Sequence, residues 1–304
     1  MYRLRSHFLL IAALLWLSVA WAQADMQVRH RTPQNVGAFR LMYDIDVLRL
    51  ALEKTRATYG DYQLQAIPPT NVVRTLYSLH NNTYPNLVLG ASYDKKLEEL
   101  DDLTYIPFPL NLGIIGYRIC FVNPLIKEEV QQVINLDELR RYTIGQGEGW
   151  ADVKILRHNG FNVSEVGNYK NLFKMVVGGR FDLLCRGANE LMKEYKQFQH
   201  IGNLTYDDSF ALVYRLPRFF YLNKNNIALK QRLQEGIKIA YADGSLLKLW
   251  RQHNLPSIQF TRLPERKLFF LENPSVNDLP KDYEQYLIDP LTIHYSQPTL
   301  APAN

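Results

Sequence analysis

Residues 143–187 read TIGQGEGWADVKILRHNGFNVSEVGNYKNLFKMVVGGRFDLLCRG, and the alternation of two periods within them decides the fold class. Thr143 to Gln146 is a short strand. Ala151 to His158 carries apolar residues at helical spacing and stops at Asn159-Gly160, as a left-handed helix end requires. Asn162 to Val166 returns to strand, Tyr169 to Val177 to helix, and Phe181 to Cys185 to strand; Asn189 to Tyr195 is helical again. Strands that alternate with helices of this length belong to a parallel sheet with helices on its faces.

Upstream, the same alternation appears once more. Met26 to Arg31 is a short strand, and Leu41 to Tyr59 is helical through Ile45, Leu48 and Leu52. Gly60-Asp61 breaks it, and Tyr62 to Ile67 is strand. Asn71 to Leu79 is helix, and Leu87 to Gly90 is a buried apolar strand. Asp101 to Pro109 holds neither period and reads as extended linker, and Gly113 to Val122 is an apolar strand. Downstream, Phe210 to Tyr214 is strand, followed by helices over Asn226 to Ala242 and Ser245 to Gln252, split at Asp243-Gly244. Beyond Pro256 the chain is Pro-rich and irregular, a strap whose Phe260, Phe269 and Phe270 need burial.

The 304 residues suffice for two ordinary domains, and 47% hydrophobic against 21% charged residues suits a chain with a proper core. Net charge is +5, and losing Arg3 and Arg5 with a leader would leave +3. No Lys/Arg run is present, so nucleic acid is not an expected partner. At the N-terminus, Arg3 and Arg5 precede an apolar run from Phe8 to Trp21 and the small-residue pattern Ala20-Trp21-Ala22-Gln23-Ala24. This is the order of a secretory signal peptide, with cleavage after Ala22 or Ala24; the run is too short for a membrane span. The expectation is a periplasmic, monomeric protein with residues 1–24 removed.

Enzyme signatures are missing from the sequence. The seven His form no metal-type pair, the two Cys lack CxxC spacing, and there is neither a Gly-x-Ser-x-Gly elbow nor a Walker loop. No cofactor is expected. Glu148 is left as a lone acid. Cys120 and Cys185 are either a disulfide, which an exported chain permits, or two separate buried thiols.

The order of these pieces resembles the family 3 solute-binding proteins of ATP-driven importers. The resemblance rests on LRLALEKTRATYGDYQLQ (48–65), IPFPLNLGIIGYRICFV (106–122), TIGQGEGWADVKILRHNGFNV (143–163), NYKNLFKMVVGGRFDLLCRGANE (168–190) and DDSFALVYRLPRFFYLNKNNIALKQRLQEGIKIAYADGSLLKLW (207–250). It implies a two-lobed α/β fold of the type II periplasmic-binding-protein class, each lobe a mixed five-stranded sheet flanked by helices. Lobe 1 would be 25–110 and 210–270, lobe 2 113–206, and 271–304 a tail on lobe 1. The two hinge crossings would lie near Leu110 to Gly113 and Tyr206 to Ser209. The implied function is binding of a small polar solute, an amino acid or related acid or amine, by hinge closure and delivery to an ABC permease. A ligand-sensing accessory for a membrane receptor is the alternative, and a lyase or hydrolase on the same fold a remoter one. The resemblance also makes the strands of Cys120 and Cys185 neighbours, so their sulfurs could meet.

Ligands of open parallel sheets sit beyond the carboxyl ends of strands, which nominates the residues found there. The turn Gln146, Gly147, Glu148, Trp150 offers backbone N–H groups and a helix start, or is a plain turn in which Trp150 simply packs. Arg186 offers a planar fork to a carboxylate, or an ion pair to Glu190 or Asp182. In lobe 1, Arg40 and Tyr43 follow the first strand and either reach ligand or brace Asp44 or Asp46; Ser92 and Tyr93 follow the third. Asp207 at the second crossing binds an amine or caps the hinge. Amino-acid binders of the family carry an Arg between the third lobe-one strand and the crossing; here that stretch is DKKLEELDDLTYIPFPL (94–110), without one.

Overall fold

A computed structural model describes residues 25–32 and 39–293. The proposed leader therefore lies outside the described residues. Among them, no helix is long and apolar enough to cross a membrane.

The first lobe contains strands β1 (Met26–His30), β2 (Tyr62–Ala66), β3 (Leu87–Ser92) and β4 (Leu103–Ile106), with helices α1 (Phe39–Lys54), α2 (Arg56–Tyr59), α3 (Val72–His80) and α4 (Lys95–Glu98) between them. The second contains β5 (Tyr117–Val122), α5 (Lys127–Gln131), α6 (Leu136–Leu139), β6 (Ile144–Gly147), α7 (Ala151–His158), β7 (Val163–Val166), α8 (Tyr169–Val177), β8 (Leu183–Gly187), α9 (Leu191–Phe198), β9 (Thr205–Tyr206) and β10 (Phe210–Val213). Then come β11 (Arg218–Asn223), α10 (Ile227–Ala242), α11 (Ser245–Thr261) and β12 (Lys267–Phe270). One sheet runs β2-β1-β3-β11-β4; the other runs β12-β10-β5-β8-β6-β7, with β9 beside β5.

The two sheets are built alike. β11 lies antiparallel between β3 and β4, and β5 lies antiparallel between β8 and β10. Each lobe therefore receives its antiparallel strand from chain arriving out of the other lobe. This corrects the expected boundaries. β10 belongs to the second sheet, so the return crossing is at Tyr214 to Pro217 and not at Tyr206 to Ser209. The stretch 101–109 is not all linker, because Leu103 to Ile106 pairs with Phe220 to Asn223 as an edge strand. A four-residue edge strand ended by Pro107 is too short to display a period. The second sheet also exceeds five strands, because β9 and β12 join its β7-β6-β8-β5-β10 core.

A second echo of this symmetry is ionic. In lobe 1, Arg218 at the start of β11 pairs with Asp44 of α1 and donates to the Gly90 carbonyl oxygen. In lobe 2, Arg118 near the start of β5 pairs with Asp152 of α7 at 2.6 Å, and Gly187 stands opposite it in β8. Both glycines are steric requirements: a Cβ on Gly90 would lie 2.4 Å from Asp44 Oδ2, and one on Gly187 2.6 Å from Asn189 Oδ1. Each arginine pins the strand that has just crossed between lobes to a helix of its new lobe, α1 in lobe 1 and α7 in lobe 2.

Two further connections tie the lobes. α11 does not end near Gln252; it runs through Pro256 to Thr261. On lobe 1, its His253 pairs with Asp46 of α1 at 3.0 Å. On lobe 2, Ser257 Oγ donates to the Ala188 carbonyl at 2.7 Å and accepts from Met192 N at 3.1 Å. β12 then pairs in parallel with β10, and the following chain returns to lobe 1, where Val276, Leu279 and Tyr283 are buried with Phe219 and Tyr221. The chain expected to strap the surface from Pro256 is helix to Thr261 and then a strand of lobe 2 before it returns to lobe 1. Phe269 is buried there, while Phe270 is 68% exposed.

Candidate functional site

The carboxyl ends of β6 and β8 hold the densest group of buried polar side chains. In a pleated strand alternate residues share a face, so Gln146, Cys185, Gly187, Cys120 and Arg118 line the face covered by α7, and Arg186 points to the other. Cys120 and Cys185 are directly paired in β5 and β8 and joined by a disulfide.

On the α7 face, Arg118 Nε donates to the Tyr214 hydroxyl at 3.0 Å, and that hydroxyl donates to Asp152. Burial opposes the Arg118 charge, but Asp152, Tyr214 and Glu190 hold its pKa above the ordinary value. Burial also pushes the Tyr214 phenol well up. On the opposite face, Arg186 donates from Nε to Glu194 Oε2 at 2.9 Å and from Nη2 to Oε1 at 2.7 Å. Its guanidinium carbon lies 4.4 Å from the centroid of the Trp150 ring. Tyr169 donates to the same Glu194 at 2.6 Å. Desolvation works against Arg186 too, and Glu190 and Glu194 more than offset it. Glu190 stands at the end of β8 between the two networks, 3.8 Å from Arg118 Nη1 and 3.4 Å from Arg186 Nη2.

The geometry sorts the residues nominated by the sequence. Arg186 Nε and Nη2 are engaged by Glu194 and its guanidinium lies over Trp150; the expected Glu190 pair exists, but its main partner is Glu194. Trp150 packs over Arg186 and against Gly147, where a Cβ would strike the indole at 2.2 Å. The turn's N–H groups are taken: Glu148 N donates to the Val166 carbonyl, Gly149 N to Glu165 Oε2 and Trp150 N to the Gly147 carbonyl. Three amides of the turn are thus engaged from within lobe 2. Glu148 itself is exposed at the rim.

Tyr43 is 2% exposed and donates to the Leu110 carbonyl at 2.7 Å, bracing the first crossing rather than reaching ligand. Tyr93 is buried among Tyr105 and Phe219, turned into the lobe 1 core, where desolvation first and Glu98 second raise its phenol pKa. Asp207 is fully buried in lobe 2, accepting from Ser209 N and Phe210 N at 3.0 Å. Burial pushes its pKa up, opposed by these N–H groups and by Arg266. It holds the β9–β10 turn and is not at a crossing. Ser92 stays half-buried at the end of β3 opposite Arg218. Arg40 begins α1, but its side chain lies outside the described residues.

Sequence reading did not single out Asn189, Asn111 or Asp152. Trp250 Nε1 donates to the Asn111 carbonyl at 2.9 Å, Asn254 Nδ2 to the Trp250 carbonyl at 2.9 Å, and Asn189 Nδ2 to Asn254 Oδ1 at 3.2 Å. Asn189 Oδ1, Gln146 Oε1 and both side-chain atoms of Asn111 are buried without a hydrogen-bond partner. Asn189 at the amino end of α9 could have been suspected from the sequence; the contact with α11 could not. Across the cleft, Lys154 of α7 pairs with Asp94, which follows β3, and so joins the lobes at their open side.

The chain matches known structures over 95–99% of their length. The fold is that of the two-lobed type II periplasmic binding proteins. Similar structures include the GluR0 ligand-binding core complexed with L-glutamate, at TM-score 0.57 and 10% identity over 77% of this chain and 99% of that one. An ancestral amino-acid-binding protein, a precursor of cyclohexadienyl dehydratase, aligns at TM-score 0.54 and 14% identity over 75% and 95%. A structure from a study of glutathione import via GshT and the cystine importer TcyBC of Streptococcus mutans aligns at 0.54 and 15%, also over 75% and 95%. No protein-family model matches the chain. No curated protein matches it in sequence. These likenesses establish the fold, and the glutamate-binding core, the dehydratase precursor and the structure from an import study among them show that this fold alone does not choose a role.

Proposed function

We propose that the chain is an exported binding protein that holds a small polar solute in the cleft between its lobes, catalyses nothing, and delivers the solute to a membrane importer. The observation that supports this reading is the set of buried polar atoms without a hydrogen-bond partner at the start of β5, the ends of β6 and β8 and the first crossing: Arg118 Nη1, Gln146 Oε1, Asn189 Oδ1 and the Asn111 amide. A buried polar group without a partner costs roughly 1–3 kcal/mol, so a site that keeps several is built for something that completes them. Entry is from the side of Lys154 and Asp94, whose exposed ion pair contributes at most about 1 kcal/mol to the closed arrangement. α11 forms the fixed edge opposite. Its contacts to both lobes and the returning strap make the opening motion smaller than two free crossings would permit.

The test is mass spectrometry of small molecules released when the purified protein is denatured, followed by thermal shift of the refolded protein with each candidate. A ligand at about 100 times its Kd adds about 2.7 kcal/mol, or roughly 5–11 °C for a chain of this size. The ligand must be recovered unchanged after incubation; conversion to product would replace binding with catalysis. A screen of amino acids, organic acids and amines that moves the melting temperature nowhere would refute the reading for those classes.

A further inference from the structure

We infer that the C-terminal strap, the chain that follows β12, is a hinge brace: residues 272–288 grip both crossings, and the lobes separate only when the strap lets go of them. This goes beyond the cleft-binding reading and does not depend on it, because it concerns the hinge and no ligand enters its test.

The strap is anchored on both lobes. On lobe 2, β12 lies beside β10, and Asn159 at the end of α7 then holds Glu272 by two hydrogen bonds. Asn159 Nδ2 donates to the Glu272 carbonyl at 2.7 Å, and Glu272 N donates to Asn159 Oδ1 at 3.0 Å. On lobe 1, Val276, Leu279 and Tyr283 are buried in the core. Tyr286 packs there on Phe108 and Tyr241, with ring centroids 4.5 and 5.0 Å away. Only residues 273–275 lie between Glu272 and Val276, so the fully extended link spans at most about 14 Å. Its slack is the single 3-10 turn Pro274–Val276, which rises about 2 Å per residue. Wider separation at this point has to unwind that turn or pull Val276 from the core.

Along its course the strap holds each crossing. At the return crossing, Asn273 Nδ2 donates to the Arg215 carbonyl at 2.8 Å, and Arg215 Nη1 donates to Glu284 Oε1 at 3.1 Å. At the first crossing, Ile288 N donates to the Leu112 carbonyl at 3.0 Å. Leu287 covers Gly113, where a Cβ would lie 3.4 Å from Leu287 Cδ2. Leu112 is fully buried at φ 50°, a left-handed conformation that a residue with a Cβ adopts at a cost. Its N–H closes on the Pro109 carbonyl at 2.9 Å and its carbonyl on Ile288. The neighbouring carbonyls of Leu110 and Asn111 are held by Tyr43 of α1 and Trp250 of α11. A costly conformation persists only while its surroundings impose it, so a crossing freed from the strap relaxes away from this one. The arrangement with Lys154 and Asp94 paired across the mouth is the braced one.

The experiment puts spin labels at Lys96→Cys and Arg157→Cys, exposed positions on α4 and α7, the helices that meet at the Lys154–Asp94 pair. Their separation is read by double electron–electron resonance; the native cysteines are joined and take no label. The release variant combines Ile288→Pro with Glu284→Gln. Proline removes the N–H that Leu112 accepts, and Leu287 before it already has the extended angles, φ −72° and ψ 144°, that a following proline requires. The parent should show one narrow distance population. The release variant should add a second, longer one, and its amides at 112–117 should exchange hydrogen at least about tenfold faster while those of β1 and β6 keep the parent's rates. Ile288→Ala, which keeps the N–H, should match the parent. If the release variant does not fold by circular dichroism, Glu284→Arg supplies the second arm: it sets like charges together at the half-exposed Arg215 pair and should give a smaller long-distance population. The parent's distribution in whichever of these variants folds would overturn the inference and leave the cleft-binding reading standing. So would Ile288→Ala opening as far as Ile288→Pro, or a parent that already populates both distances.

Discussion

Arg186→Ala separates a structural arginine from a ligand-binding one. In the folded protein the guanidinium is 3% exposed, holds Glu194 through paired hydrogen bonds and lies 4.4 Å over the Trp150 ring. Removing it leaves Glu194 and Glu190, 2% and 7% exposed, as buried carboxylates short of their main counter-charge. Breaking one side of a buried pair costs about 3–5 kcal/mol, most of it the penalty for the charge left behind. The indole loses its cation contact as well, worth about 1–2 kcal/mol when desolvated. For a chain of this size, 3–5 kcal/mol lowers the melting temperature by roughly 6–20 °C. The assay is urea unfolding at neutral pH with the disulfide intact, followed by tryptophan fluorescence. Glu194→Gln should cost less, because Arg186 keeps Glu190 at 3.4 Å. An Arg186→Ala protein within about 0.5 kcal/mol of the parent would refute the reasoning and return this arginine to the ligand.

Other outcomes follow from the same contacts. Reducing the Cys120–Cys185 disulfide, which closes a separation of 65 residues, should lower stability by about 4 kcal/mol on the chain-entropy account; alkylation without reductant must label no thiol. Gly90→Ala should cost about 1–3 kcal/mol by overpacking, since its Cβ would fall 2.4 Å from the immobile Asp44 carboxylate, and an unchanged urea midpoint would contradict this. Asp243 accepts from Lys54 and from Ser245 N at the start of α11, which hold its pKa down to about 2. Its folded pKa lies below the unfolded one, so its contribution is complete above about pH 4 and is lost as pH falls through 2. The parent should therefore exceed Asp243→Asn in stability at pH 6, by less than about 1 kcal/mol for so exposed a pair, and the two should converge at pH 2. Tyr283→Ala should free the strap, so that trypsin cuts at Lys281 at least tenfold faster while lobe 2 stays resistant.

Local periodicity carried much of this protein. The helices at 151–158 and 169–177 and the strands around them are visible because each buries one continuous face, and a buried face leaves its period in the chain. The alternation also placed Gly147, Trp150 and Arg186 at strand ends, and that is where they stand. What these side chains touch was not visible. Arg186 finds Glu194 on the helix that follows its strand, and sequence spacing offered Glu190 and Asp182 as equally good partners. Likewise β10 reads as an apolar strand in either lobe; only its pairing with Tyr117 and Arg118 assigns it to the second sheet and moves the crossing to 214–217.

The sequence by itself thus determined the alternating units at 26–90 and 143–195, the two α/β halves and the strand ends where a site can form, because those depend on the period of each segment alone, whereas β4, β9, β11 and β12 became visible only through their pairing. The tertiary structure decided which charges cancel, which acceptors remain open and how the lobes are tied by α11 and the strap. Those properties depend on distances between residues far apart in the chain, such as Asn189 and Asn254 or Arg118 and Tyr214, and no local pattern encodes them.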